Sequence, residues 1–130
     1  MKVSMTRKGA KIQKLLKLPE DELLVLIGNE LDSSVHAVPP SINSLIQAAN
    51  EWLDNQWSTF QKAICNDKRI RQQSRNSDNT LLVAAVADLL ASVITNVSPF
   101  TVAVLLVKKG IDTLCASDWK NTHAKKKKDD

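Results

Sequence analysis

Apolar positions along this chain return every three or four residues, the period of a helix with one buried face. Nowhere do they settle into the alternation of a half-buried strand. Met5, Ile12, Leu15 and Leu16 fall on one side of a first helix predicted over residues 6–17, whose other positions are largely Lys and Arg. Leu18-Pro19-Glu20-Asp21-Glu22 then reads as a helix start, because proline is tolerated at the first helical position and acids in the first turn complement the dipole. Leu23, Leu24, Ile27 and Leu31 carry this second helix over residues 19–31, and Asp32-Ser33-Ser34 ends it. Pro39 and Pro40 bias their predecessors toward extended backbone, so residues 33–40 are expected to be the main interior connection.

Ser41 is placed to cap a third helix over residues 41–65, the cleanest amphipathic pattern in the chain. Its stripe is Ile42, Leu45, Ile46, Ala49, Leu53, Trp57, Phe60 and Ile64. Residues 66–79 hold Arg69, Arg71 and Arg75 among Asn, Gln, Ser and Asp, with Ile70 as the one large apolar side chain. They are expected to form a solvated loop that opens with an extra turn of the third helix. A fourth helix, predicted over residues 80–95, is apolar almost all round, and Ala84, Ala85, Ala87 and Ala91 permit close approach. Ser98-Pro99 opens a fifth, over residues 99–116, with Val102, Leu105, Leu106, Ile111, Leu114 and Cys115 as its core. Gly110 inside it costs about 1 kcal/mol relative to alanine, which points to close backbone packing or a local break. Trp119 is expected to fold back as a lid, with residues 121–130 as a disordered Lys-rich tail.

The pattern predicts an all-α fold: one domain over residues 1–120, a bundle of about five helices around a buried hairpin of the fourth and fifth. A length of 130 residues suffices for one hydrophobic core. Three glycines and four prolines are too few for a fold that turns every 8–12 residues, which favours a few long elements. No period of 20–50 residues recurs, which excludes repeat arrays.

The most apolar stretch, residues 81–107, is interrupted by Asp88, Ser92, Thr95, Asn96, Ser98 and Pro99. Each half is shorter than the roughly 20 residues a spanning helix needs, so membrane insertion is not expected. Cys65 and Cys115 belong to no CxxC pair, and each falls on the apolar side of a predicted helix. Reduced, buried thiols are expected, with a single disulfide left open by the spacing. That cysteine usage favours a reducing interior, and the basic start of the chain lacks the apolar run of a signal peptide. The expected location is the cytoplasm.

Nothing in the chain carries catalytic chemistry. A phosphate-binding loop needs clustered glycines, and a metal site needs clustered ligands, whereas His36 and His123 lie in a predicted loop and tail with neither paired. Asp88, alone in an apolar helix, is expected to face solvent, to pair with a buried Lys or Arg, or to serve a function, and one carboxylate is not an acid–base pair. No enzyme, cofactor, metal or small-molecule substrate is expected.

Charge changes the picture more. Residues 1–17 carry six basic and no acidic side chains, and residues 18–61 carry seven acids and no Lys or Arg. Residues 62–75 hold five basic side chains and one acid, so the formal net charge of +4 hides opposed blocks. One arrangement lays the basic first helix against the acidic second and third. The other leaves a basic surface free for nucleic acid, formed by Lys8, Lys11, Lys14, Arg69, Arg71 and Arg75. Trp52, at the edge of the third helix's stripe, and Trp119 are candidate contacts for a protein partner.

Leu18-Pro19-Glu20-Asp21-Glu22-Leu23-Leu24 and the block from Ser98-Pro99-Phe100-Thr101-Val102 through Leu114-Cys115 resemble small helical proteins of bacteria, cyanobacteria among them, with no assigned activity. The resemblance covers about a quarter of the chain and implies a bacterial setting. The function expected is that of a non-enzymatic accessory or adaptor domain acting through a protein partner or a second copy of itself. Nucleic-acid binding through the basic segments is the alternative, and a membrane-active effector built on the fourth and fifth helices is a third.

Overall fold

The computed structural model describes residues 7–32, 40–73 and 79–116. Those residues are all-helical, with no strand among them. The elements are α1 (Arg7–Leu16), α2 (Glu20–Leu31), α3 (Ile42–Ile64), α4 (Lys68–Gln73), α5 (Asn79–Leu90), α6 (Pro99–Lys109) and α7 (Ile111–Leu114). Five of them occupy the positions of the expected helices, α7 falls within the range expected for the fifth, and α4 is additional.

Three boundaries differ from expectation, each for a visible reason. The segment expected as a solvated loop contains α4, because Ile70 is fully buried and holds that turn against α5. Asp67 opens it: its carboxylate accepts the Arg69 backbone N–H at 2.8 Å and grips the Arg69 guanidinium through both oxygens, at 3.1 and 3.2 Å. The fourth expected helix stops at Leu90 rather than residue 95. There the Ser92 hydroxyl donates to the Leu89 carbonyl at 2.8 Å and competes with the helical ladder, while Ile94 and Val97 stay buried from the turn that follows. Gly110 breaks the fifth, at φ +105°, a left-handed conformation that favours glycine. Its N–H closes α6 on the carbonyls of Leu106 and Val107, and α7 starts at the next residue.

Packing follows the apolar pattern. From Thr101 to Leu106 every residue of α6 is buried, and α6 lies against α5 and α2. The pairing of α2 with α6 is antiparallel and tied at both ends. Lys109 Nζ meets Glu20 Oε1 at 3.3 Å, and at the other end the Ser98 N–H donates to Glu30 Oε1 at 3.0 Å. Ser98 sits at the cap position of α6 without a side-chain cap of its own, so Glu30 supplies the negative charge that this N-terminus favours. Ser41 does cap α3, accepting the Ser44 N–H at 3.1 Å.

The packing of α2 on α3 is close because Gly28 is buried against the Leu45 backbone. A Cβ at Gly28 would strike the Leu45 carbonyl oxygen and lie 2.9 Å from its carbon.

The expectation of reduced thiols is overturned: Cys65 and Cys115 form a disulfide, with Cα atoms 5.4 Å apart. Neither cysteine lies on a helix face: Cys65 is the C-cap of α3 and Cys115 the C-cap of α7, and the two helix ends are neighbours. Gln61 reinforces the junction, its side-chain amide donating to the Leu114 carbonyl at 3.0 Å. Among the described residues no helix is long and apolar enough to cross a membrane.

Candidate functional site

The helix α2 carries more apolar residues than its neighbours use. Leu23, Leu24 and Ile27 are buried toward α3 and α6, yet Val25 and Leu26 fall outside that stripe. Leu26 is 38% exposed and Val25 half-buried. Across from them stands Ile42, the first residue of α3, expected within the core stripe but 64% exposed. The correction has a simple cause: Ile42 projects from the helix end, beyond Leu45, where α2 passes closest. Together with Leu18, these side chains line an open groove of about 430 Å³.

Two carboxylates, Asp21 and Glu22, complete the lining. They occupy the first turn of α2, where the helix dipole stabilises negative charge. Both are exposed, and neither forms an ion pair with a described residue, whereas Glu20 beside them is engaged by Lys109. The groove is apolar in its walls and anionic in its charge.

The basic block of α1 takes a different place from the one expected. Rather than lying against the acidic α2 and α3, α1 packs through Ile12 and Leu15 onto α5 and α6. Lys11, Lys14 and Lys17 are left exposed around a shallow hollow with Ala10 and Gln13, and they make no ion pair with a described residue. Lys11 Nζ stands 5.5 Å from the centre of the Phe100 ring.

The arginines expected to extend this surface do not join it. Arg69 and Arg71 belong to α4, whose contacts are with α5. Arg69 is already committed to Asp67, which holds the Asp67 carboxyl below its usual value of 3.8 and, with help from Asp88, raises the guanidinium above its own. Asp88 itself is exposed on α5. Arg75, His36, His123 and Trp119 lie outside the described residues, as does the side chain of Lys8. Trp52 is half-buried and meets Phe60 edge-on at 5.7 Å between ring centres, away from the groove.

A further shallow hollow lies where α3 meets the end of α6, between Asn50, Asp54, Trp57 and Lys109. Among the described residues no group of three His, Cys, Asp or Glu side chains gathers as a metal site would require. Sequence reasoning missed the groove, although Val25 and Leu26 were its signal: apolar residues on the wrong side of an otherwise amphipathic helix. In comparisons with protein families, curated proteins and solved structures, the chain matches none.

Proposed function

We propose that this chain is a non-enzymatic adaptor domain that works by docking a protein on the α2–α3 groove. The observation that supports this is the exposure of Leu26 and Ile42 beside Leu18 and Val25, a contiguous apolar lining at the surface of a bundle with a well-filled core. Apolar surface grouped in a concave site, rather than scattered singly, is what an interaction surface presents. Behind it, α2 packs against α6, which in turn packs against α5.

The location follows the cysteines. A cytoplasmic setting is the expectation for free thiols in a chain whose basic start lacks a signal-peptide run, whereas the Cys65–Cys115 bond fits an oxidising compartment better.

The test is a photo-crosslinking residue at position 26, with position 96 as an exposed control, in extract of the source cells. Protein adducts are expected at 26 and not at 96, and Ile42→Glu is expected to abolish them. Equal adducts at both positions, or adducts that survive Ile42→Glu, overturn the reading.

A second reading has one observation in its favour, the exposed lysines on and just after α1, which form no ion pair with a described residue. Nucleic-acid binding through Lys11, Lys14 and Lys17 predicts affinity that falls steeply with salt, by about one counterion per lysine engaged. A gel shift showing no complex at low salt removes it.

A further inference from the structure

We infer that the occupant of the α2–α3 groove is a basic amphipathic helix of a partner protein, its apolar side chains on Leu18, Val25, Leu26 and Ile42 and its Lys or Arg residues on Asp21 and Glu22. The inference rests on the docking role of the groove and adds the chemistry of what docks.

The argument is one of desolvation. The groove residues recur along one side of the chain at positions 18, 21, 22, 25 and 26, so the apolar and acidic side chains are interleaved. Any partner that covers the apolar residues also removes water from the two carboxylates. A neutral apolar occupant leaves both charges desolvated without partners, a cost that the apolar contacts must overcome. A cationic one turns the same burial into charge-assisted hydrogen bonds. Lys and Arg suit the site further, because their aliphatic stems pack on Val25 and Leu26 while the charged ends reach the carboxylates.

Sign excludes nucleic acid and anionic membrane from this groove. Shape decides against a second copy that docks through its described residues. Among the described residues, the basic surface gathered at one hollow is that of α1 and the residue after it, made of Ala10, Lys11, Gln13, Lys14 and Lys17. It has the charge but no large apolar side chain to occupy about 430 Å³. That hollow does not offer both features, and a partner's amphipathic helix supplies them.

The experiment uses the full chain and a labelled 18-residue Leu/Lys amphipathic helix, with a matched Leu/Glu helix as its counterpart, read by fluorescence anisotropy. Because the chain carries a formal net charge of +4, bulk attraction favours the Glu peptide, so preference for the Lys peptide reports the groove. The Lys peptide is expected to bind at least about tenfold tighter, the order of one or two close charge pairs. The double variant Asp21→Asn/Glu22→Gln is expected to erase the preference, and Ile42→Ser to weaken both peptides without moving the thermal transition. Equal binding of the two peptides, no binding of either, or indifference to these substitutions overturns the inference. A groove that crosslinks a protein at position 26 but rejects the Lys peptide keeps the adaptor reading and refutes this occupant, as does self-association through the groove. Failure of both experiments removes both.

Discussion

At the scale of single residues, two positions set sharp expectations because the backbone around them leaves no freedom. Gly28→Ala improves helix propensity by about 1 kcal/mol, yet the added carbon collides with the Leu45 backbone rather than a flexible side-chain tip. The collision wins, since α2 and α3 must separate along their most extensive contact. A net loss of about 1–3 kcal/mol is expected in urea denaturation. Asp67 gives a pH prediction whose sign is set by its lowered pKa, caused first by the Arg69 side chain. A depressed carboxylate contributes stability above its unfolded value near 3.8, and that contribution is lost as pH falls through the folded value. Protection of the α4 amides relative to their intrinsic exchange rate should therefore fall as the pH is lowered below 3.8, and Asp67→Asn should abolish this dependence. Nothing comparable is expected in α6, which is held by packing.

At the scale of elements, periodicity located the five longer helices because each buries a continuous apolar face. It failed where the signal is one residue long. Ile70 alone anchors α4, and a single apolar residue among polar ones has no period to detect. The break at Gly110 was legible as one of two options, since a glycine within an apolar run marks either close packing or a turn, and only φ distinguishes them. The cap of α6 was hidden for another reason. Ser98 looked sufficient, but the charge at that helix end comes from Glu30, which is remote in sequence. Glu30→Ala is expected to cost about 1 kcal/mol and to expose the Ser98 amide to exchange, whereas Glu20→Ala, which removes a half-exposed ion pair with Lys109, should cost less. The candidate groove was illegible for a related reason: it arises between two helices. Ile42 fits its stripe by spacing, and only the position of α2 against the end of α3 shows that nothing covers it.

At the scale of the whole molecule, the expected opposition of charged helices gives way to a segregation of surfaces. The basic α1 lies on the α5–α6 side, the anionic groove on α2 and α3, and the disulfide at the far end of α3. Joining positions separated by 50 residues restricts the unfolded chain substantially. Replacing Cys115 and Cys65 together by Ala is expected to lower stability by about 2–4 kcal/mol in chemical denaturation. Binding of the Lys peptide under native conditions should survive this replacement, because no residue of the groove touches the bridge. Loss of binding in a still-folded variant would show that the groove depends on the pinned end of α3.

The same bridge makes the molecule a ring with a free arm. Its covalent circle runs from Cys65 through α4, α5, α6 and α7 to Cys115, while α1, α2 and the groove lie on the chain that enters it. A protease that cuts once between α4 and α5 opens the circle without releasing a fragment. The nicked protein then migrates as one species on a non-reducing gel and as two after reduction. The parts on either side of the cut remain tethered within reach of their native contacts, so a single break in the ring leaves the helices on both sides of it covalently joined.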